Sequence, residues 1–216
     1  MITQEDQLRL FSLVTERLTA DNVAFAFGGT AMMFYGYKDE TKDVDLLFES
    51  IISRIQFIDA LTSFGFSETN PIHIYELKKA RDKNAPLMYK REDTRFDLFA
   101  ERIFHMHLSP KMRDDPFAVH EFKGKHRLTL KVLRKEHIVL LKAVTSRPRD
   151  FEDILTIIRR EKQFDWQFLI DEVLWQYQHG DRWTLLDVED MLLKLKKYVF
   201  IEEKYLQQLY AAGKRT

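Results

Sequence analysis

Two aspartates, Asp43 and Asp45, stand two positions apart in the segment DVDLLF. Residues two apart in a β-strand project from the same face, so these carboxylates would lie side by side. Adjacent carboxylates repel each other unless a cation lies between them, and Mg²⁺ (or Mn²⁺) suits that position because it takes hard oxygen ligands. The pair therefore predicts a divalent metal site. The alternative is two solvated carboxylates on an edge strand.

The glycine pair Gly28 and Gly29 precedes this segment and is followed directly by Thr30. Glycine has no Cβ, so the backbone of a glycine turn can approach a phosphate group closely. The N–H groups of the turn and the positive end of a following helix would attract phosphate oxygens, and the Thr30 hydroxyl could contact them as well. A phosphate-binding turn beside a metal held by carboxylates is typical of enzymes that transfer phosphoryl or nucleotidyl groups.

A third carboxylate, Asp97, stands in the apolar segment RFDLFA between Phe96 and Leu98. Burial of a lone carboxylate in an apolar strand is strongly unfavourable unless the group is paired or binds a metal. If this strand lies beside residues 43–48, Asp97 could bind a second metal or accept a proton from an attacking hydroxyl. A solvated or salt-bridged carboxylate is the alternative.

Short helices and strands alternate through the first part of the chain and would carry these residues. Apolar residues at helical spacing predict helices, and short apolar or alternating runs between turn residues predict strands. We expect helices over 4–20, 30–35 and 53–64, with Thr30 near an N-cap, and strands over 23–27, 43–48, 72–77, 95–100, 117–122 and 126–132. The segment 88–91 yields no clear prediction.

From residue 134 onward the pattern favours helices alone, over 134–145, 149–161, 166–178, 184–197 and 201–211. We therefore expect an α+β protein in which a small mixed β-sheet core with helices is followed by a helical C-terminal region. The predicted domains are 1–133 and 134–216. We expect them to pack together because no flexible linker or low-complexity tract separates them.

Composition narrows the class of protein. Among the 216 residues, 34 are Lys or Arg and 34 are Asp or Glu, so the formal net charge is zero. This balance argues against a surface coated with positive charge for nucleic acids or membranes, although it does not exclude a local basic groove. The absence of cysteine excludes disulfides, thiolate nucleophiles and cysteine-ligated metals. Because no signal peptide or bilayer-spanning apolar run is visible, we expect a cytoplasmic protein without a membrane partner.

The segments GGT at 28–30 and TKDVDLLF at 41–48 resemble the signature of the DNA polymerase beta nucleotidyltransferase superfamily. Within it, the chain is most similar to small AbiEii-like proteins, which include nucleotidyltransferase toxins of bacterial toxin–antitoxin systems. Those proteins carry a later helical lysine and then a cluster of basic residues and aspartates. Here Lys142 is followed by SRPRDFEDI, in which Arg149 stands where the relatives often have lysine. The resemblance covers roughly 22–50 and 93–158.

The resemblance implies a nucleoside triphosphate donor such as ATP, Mg²⁺ (or Mn²⁺), and transfer to an acceptor hydroxyl with release of pyrophosphate. It assigns Asp43, Asp45 and Asp97 as catalytic metal ligands. The residues expected to contact the nucleotide are Gly28, Gly29, Thr30, Lys42, Lys142 and Arg149. For Lys42 and Lys142 the alternative is an exposed lysine, and the segment around Arg149 could be an ordinary charged helix start.

Two functions from different classes remain open at this point. The leading hypothesis is an active nucleotidyltransferase whose acceptor is RNA, a protein side chain or a small molecule. The rival is a non-catalytic nucleotide-binding or regulatory module that acts with an antitoxin-like protein partner. The three intact aspartates argue against the rival, and the zero net charge disfavours a large RNA acceptor. A homodimer is also open, because an aromatic patch in the helical part could be either core or interface.

Overall fold

The computed structural model describes residues 1–70 and 81–214. The chain forms two compact units, Met1–Arg134 and Lys135–Thr216. The described strands all belong to the first unit, together with several helices, and the second unit is helical where it is described. The α+β class expected from the sequence is therefore confirmed. The packing of the two parts against each other stays a prediction.

A mixed β-sheet of seven main strands forms the framework of the first unit, as far as that unit is described. In spatial order the strands are β10 (Ala118–Lys123), β11 (Arg127–Val132), β2 (Asn22–Ala26), β4 (Asp43–Phe48), β7 (Thr94–Ala100), β6 (Leu87–Arg91) and β5 (Ser67–Thr69). Strands β11 and β2 are parallel, as are β4 and β7. The other neighbours are antiparallel.

Among its described residues, the first unit also contains four short strands. Two of them, β8 (Arg102–Ile103) and β9 (Met106–His107), continue from the end of β7. The other two, β1 (Ile2–Thr3) and β3 (Glu40–Thr41), pair with each other apart from the main sheet. The described helices of this unit are α1 (Gln4–Thr15), α2 (Gly28–Phe34), α3 (Ile51–Ser63) and α4 (Pro110–Asp114).

Helix α3 covers one face of the central strands with an aromatic cluster. The ring of Phe57 lies 5.2 Å from that of Phe48 in β4 and 5.9 Å from that of Phe96 in β7, between centroids. All three rings are fully buried. Because side chains alternate along a strand, this packing turns the intervening residues of β4 and β7 towards the opposite face. That opposite face carries the aspartates.

The second unit contains α5 (Lys135–Thr145), α6 (Pro148–Arg160), α7 (Trp166–Gln178), α8 (Trp183–Leu195) and α9 (Glu203–Gly213). These correspond to the five helices predicted there. Helix α5 is buried from Glu136 to Thr145 and contacts α6, α7 and α8. A helix that is enclosed on all sides is the centre of its bundle.

The structure differs from the predicted elements at the end of α1, and it contains short elements that were not predicted, namely β1, β3, β5, β8, β9 and α4. Helix α1 ends at Thr15 rather than near residue 20, because the Thr15 carbonyl accepts the N–H of His126 from the β10–β11 turn at 3.3 Å. This contact is invisible in the local sequence. The segment 88–91, which yielded no prediction, belongs to β6. The predicted strand 72–77 lies outside the described residues.

Among the helices that the structure describes, none combines the length and the apolar character that a bilayer span requires.

Phe57 provides a test of the packing between α3 and the sheet. We expect Phe57→Ala to lower the free energy of unfolding by about 3–5 kcal/mol, because it removes a fully buried ring and leaves a cavity. The matched control is Ile52→Ala on the same helix, whose side chain is 70% exposed. That change should stay within about 0.5 kcal/mol. Urea denaturation measures both, and equal losses would contradict the packing.

Candidate functional site

The three aspartates identified from the sequence lie together on one face of the sheet. Strands β4 and β7 are parallel neighbours in a register that places Asp45 directly beside Asp97 and Asp43 directly beside Arg95. One carboxylate oxygen from each of Asp43, Asp45 and Asp97 lies within 4.8 Å of the other two. The condition set for Asp97, that its strand lies beside residues 43–48, is therefore met, and the pairing gathers three negative charges at one point.

These carboxylates are shielded from water. Asp43 and Asp45 are 8% and 7% exposed, and Asp97 is fully buried. Solvent screening is weak for such groups, so their mutual repulsion requires a nearby positive charge. The alternative for Asp97 was a solvated or salt-bridged carboxylate. The structure excludes a solvated Asp97 and shows that its carboxylate forms a salt bridge with Arg95.

Arg95 supplies a positive charge within the cluster. Its Nε donates to Oδ1 of Asp97 at 2.7 Å, and one terminal nitrogen donates to Oδ2 of Asp97 at 3.2 Å. The same nitrogen also donates to Asp43. Burial alone would lower the pKa of Arg95, but attraction from Asp97, with Asp43 and Asp45 adding to it, outweighs burial and raises that pKa above its ordinary value. The guanidinium therefore stays charged and holds Asp97 by a two-pronged contact.

The donor set fits a hard divalent cation. All three candidate ligands are carboxylates, and Mg²⁺ and Mn²⁺ prefer oxygen ligands. A single guanidinium balances only part of the charge of three carboxylates, so the cluster retains negative charge that a divalent ion would neutralise. Asp43, Asp45 and Asp97 are thus able to hold such an ion.

The glycine turn contacts this cluster through Asp45. Gly28 has a φ of +55°, and a Cβ at that position would lie 2.3 Å from Oδ2 of Asp45. The N–H of Gly29 donates to the same oxygen at 3.1 Å. Only a residue without a side chain fits where the carboxylate approaches the backbone this closely. The pairing of the glycines with the DVD segment, which the sequence suggested by spacing, is a direct contact in the structure.

Thr30 has a structural contact that the sequence did not predict. Its side chain is fully buried, and its Oγ accepts the backbone N–H of Asp45 at 2.9 Å. Helix α2 begins at Gly28 and its N-cap is Phe27, so the prediction of Thr30 near the N-cap was wrong by three positions. This hydrogen bond joins α2 to β4. Contact between the Thr30 hydroxyl and a phosphate stays a prediction.

Lys42 lies immediately before Asp43 and is exposed. It borders a cleft on the first unit to which Lys90 and Arg95 also contribute. Its exposure matches the alternative of an exposed lysine, and its place in the lining puts a positive charge at this cleft. Its contact with the nucleotide itself stays a prediction.

Lys142 of the second unit is held by two carboxylates at the junction of α5 and α6. Its side chain is 5% exposed, and its ammonium group donates to Asp153 at 2.6 Å and to Asp150 at 3.3 Å. The surface-lysine alternative is therefore excluded. Asp150 also accepts from Arg147 at 2.8 Å and from the Thr145 hydroxyl at 2.8 Å. This network joins the last turn of α5 to the first turn of α6.

Arg149 is exposed, and the arginine that pairs with Asp150 is Arg147. Burial alone would raise the pKa of Asp150, but the hydrogen bond from Arg147 and the charge of Lys142 outweigh it and lower that pKa to about 2. The Asp150 carboxylate is therefore ionised at neutral pH, and it accepts hydrogen bonds from Lys142, Thr145 and Arg147. Nucleotide contacts by Lys142 and Arg149 stay a prediction.

Comparisons with known proteins add no family to this picture. No protein-family model matches the sequence, and no curated protein is significantly similar to it. The resemblance to AbiEii-like nucleotidyltransferases therefore rests on the quoted segments alone.

Arg95 is the site residue that the sequence reasoning missed. It stands two positions before Asp97 in a strand, so alternation places both side chains on one face. The spacing of Arg95 and Asp97 is visible in RFDLFA, but the role of Arg95 also depends on which residue of the neighbouring strand it faces. Without the register that sets Asp43 beside Arg95, nothing shows that the guanidinium bridges two carboxylates.

The ion pairing of Arg95 yields a test of the metal site that does not depend on activity. In Arg95→Ala, Asp43 and Asp97 lose their shared cation, and breaking a buried ion pair typically costs about 3–5 kcal/mol. We expect the variant to melt well below wild type in EDTA and to gain more Tm than wild type from millimolar Mg²⁺. Arg9→Ala, which removes a side chain 72% exposed, is the control. No rise in Tm with Mg²⁺ in either wild type or Arg95→Ala would contradict a cation-binding role for this cluster.

Asp150 predicts an acid-dependent loss of stability in the second unit. Its folded pKa is lowered from 3.8 to about 2, so its stabilisation is fully present above pH 3.8 and is lost as the pH falls through about 2. The shift corresponds to about 2 kcal/mol. All three tryptophans lie in this unit, so tryptophan fluorescence follows its unfolding by urea.

The comparison is between wild type and Asp150→Asn across the acid range. We expect the difference in their free energies of unfolding to be constant from pH 7 to pH 5 and to shrink by roughly 1 kcal/mol by pH 3, where the native carboxylate begins to lose its advantage. Asp171→Asn, at an exposed position on α7, controls for general acid effects. A difference that does not change with pH would show that Asp150 contributes no ionic stabilisation.

Proposed function

We propose that the chain is a metal-dependent nucleotidyltransferase that moves a nucleoside monophosphate group from a nucleoside triphosphate to an acceptor hydroxyl. The single observation that carries the proposal is the cross-strand register of Asp45 with Asp97. It places three buried carboxylates within 4.8 Å of one another. The Gly28–Gly29 backbone lies against Asp45 of the same cluster, so a phosphate bound at this glycine turn would lie beside the carboxylates.

In this proposal Asp43, Asp45 and Asp97 hold Mg²⁺ or Mn²⁺. The bound ion would polarise phosphate oxygens and offset the charge that develops during transfer. Arg95 fixes the orientation of Asp97 through its two hydrogen bonds. Orientation of this kind supplies much of the rate in a reaction that brings two substrates together.

The chemistry is a displacement at the α-phosphorus. The acceptor oxygen forms a bond to that phosphorus, and the bond from the phosphorus to the bridging oxygen of the β-phosphate breaks. Pyrophosphate leaves with the electron pair of that bond. The hydroxyl proton passes to a carboxylate, and Asp97 is the group we assign to accept it because it lies directly beside Asp45 in the cluster.

The proposal includes a cytoplasmic location, where nucleoside triphosphates and Mg²⁺ are available to the site. The rival hypothesis is a nucleotide-binding module without catalysis that acts through an antitoxin-like partner. Both hypotheses require nucleotide binding, and only the first requires transfer of label.

Label transfer tests the proposal directly. The protein is incubated with nucleoside triphosphates labelled at the α-phosphate, Mg²⁺ and cell extract, and label is sought in RNA, protein and small molecules. We expect Asp45→Asn and Asp97→Asn to reduce transfer by roughly 10²–10⁴-fold, since each removes a group used at the reacting centre. Asp59→Asn, an exposed carboxylate on α3, should transfer at the wild-type rate.

Isothermal titration with each triphosphate, with and without Mg²⁺, separates the two hypotheses. Binding that needs Mg²⁺ and weakens in Asp45→Asn, together with label transfer, supports the enzyme. The same binding with no transfer to any class of molecule would favour the regulatory module. No binding under any condition would contradict both.

A further inference from the structure

A cleft of about 580 Å³ opens on the first unit beside the aspartate cluster. Its volume lies in the range of small-ligand sites in proteins, about 300–1,000 Å³. The described residues that line it are Met1, Lys42, Thr69, Asn70, Met88, Lys90, Asp93 and Arg95. Arg95 belongs both to this lining and to the ion pairs with Asp43 and Asp97. The cleft and the proposed metal site are therefore continuous.

The floor of the cleft is the sheet face that carries the aspartates. Residues paired directly across neighbouring strands project from the same face. One row of such partners is Asp43, Arg95, Lys90 and Ser67, and the next row is Asp45, Asp97, Met88 and Thr69. Strand β6 lies two strand spacings from β4, about 10 Å. A molecule in the cleft can thus reach the carboxylates along these rows.

The charges of the cleft favour an anion. Lys90 stands directly opposite Arg95 on the neighbouring strand, and like charges in that position destabilise a sheet. Within residues 1–70 and 81–214, no carboxylate lies within ion-pair distance of Lys90 or Lys42. Arg95 is already paired with Asp43 and Asp97, so the charge available to a ligand comes from the two exposed lysines. With Asp93 as the one acid in the described lining, they give the outer part of the cleft an excess of positive charge.

The order of the strands places the glycine turn and the cleft on opposite sides of the aspartates. The glycine turn follows β2, which borders β4 on one side, whereas β7, β6 and the cleft lie on the other side. The aspartates stand between the two. An in-line displacement brings the attacking oxygen to the phosphorus from the side opposite the leaving group. With the triphosphate at the glycine turn, the acceptor enters from the cleft.

We propose that this cleft binds the acceptor through a phosphate group that neighbours its reactive hydroxyl. The inference rests on the proposed function and adds the substrate class. Lys90 and Lys42 hold the acceptor phosphate, and the hydroxyl meets the cluster of Asp43, Asp45 and Asp97. Its oxygen bonds to the α-phosphorus, its proton passes to Asp97, and pyrophosphate leaves with the bonding electron pair. The terminal nucleotide of an RNA and a free phosphorylated nucleoside share this chemistry.

The test measures acceptor binding rather than turnover. A short single-stranded RNA with a free 3′-hydroxyl, adenosine monophosphate and adenosine are each titrated into the full chain, with and without Mg²⁺ and a non-transferable α,β-methylene analogue of ATP at saturation. The analogue fills the donor position, so binding of the probes in its presence reports the second position. The variants are Lys90→Ser and Lys90→Glu, and the matched control is Lys125→Glu in the exposed β10–β11 turn.

We expect RNA or adenosine monophosphate to bind and adenosine to bind much more weakly. Lys90→Glu should lower the affinity for the phosphorylated probe by roughly tenfold or more, because the charged contact to phosphate is lost and a repulsive charge replaces it. The dependence of binding on salt should also become shallower in Lys90→Ser. Lys125→Glu should bind as wild type does. Because Lys90 is exposed beside another cation, both Lys90 variants should keep or raise the Tm, so a weakened affinity is not a folding defect.

The outcomes distinguish failure of the cleft assignment from failure of the proposed function. Binding of RNA alone assigns the phosphate to a nucleic-acid end, and binding of adenosine monophosphate as well assigns it to small phosphorylated acceptors. Equal binding of adenosine and adenosine monophosphate, unchanged affinity in Lys90→Glu, or no binding of either phosphorylated probe would overturn the cleft assignment. In each of those cases, Mg²⁺-dependent binding of the ATP analogue would still support the proposed function. Failure of the analogue to bind would count against the proposed function itself.

Discussion

Arg95 lies between carboxylates that would otherwise repel one another, and the arrangement of the central strands depends on that contact. Asp97 has no exposed surface and Asp43 has little, so water cannot screen their charges. The guanidinium donates to both and is kept charged by them. Three buried carboxylates can share one face of a sheet because part of their charge is balanced from within. The remaining negative charge is what makes the cluster suited to a divalent cation.

A steric constraint complements this electrostatic one. Asp45 presses against Gly28 and accepts the N–H of Gly29, while its own backbone N–H donates to Thr30. The start of α2 and the middle of β4 are therefore fastened together by backbone and side-chain contacts. The glycine turn lies on one flank of the aspartates, and the basic cleft of β6 and β7 lies on the other. A site with different surroundings on its two flanks can hold two different substrates.

The second unit shows how one set of residues can satisfy two interpretations. Lys142, Asp150 and Asp153 match the later segment that the resemblance picked out, and they form a buried network that joins α5 to α6. Each charge in the network has a partner, as burial requires. The network thus has a structural role that is sufficient to explain its burial. A role in nucleotide binding would be additional to it.

The sequence by itself determined the alternation of strands and helices, the change to helices near residue 134, and the common face of Asp43 and Asp45. These follow from local periodicity, which is set by backbone geometry and needs no partner. The structure decided that Asp97 lies beside Asp45, that Arg95 bridges two carboxylates, that Thr30 is buried, and that Lys90 faces the same cleft as Lys42. It also ended α1 at Thr15 through a contact with residue 126. Each of these depends on strand order and register between segments far apart in the chain, and local spacing carries no information about which distant strand becomes a neighbour.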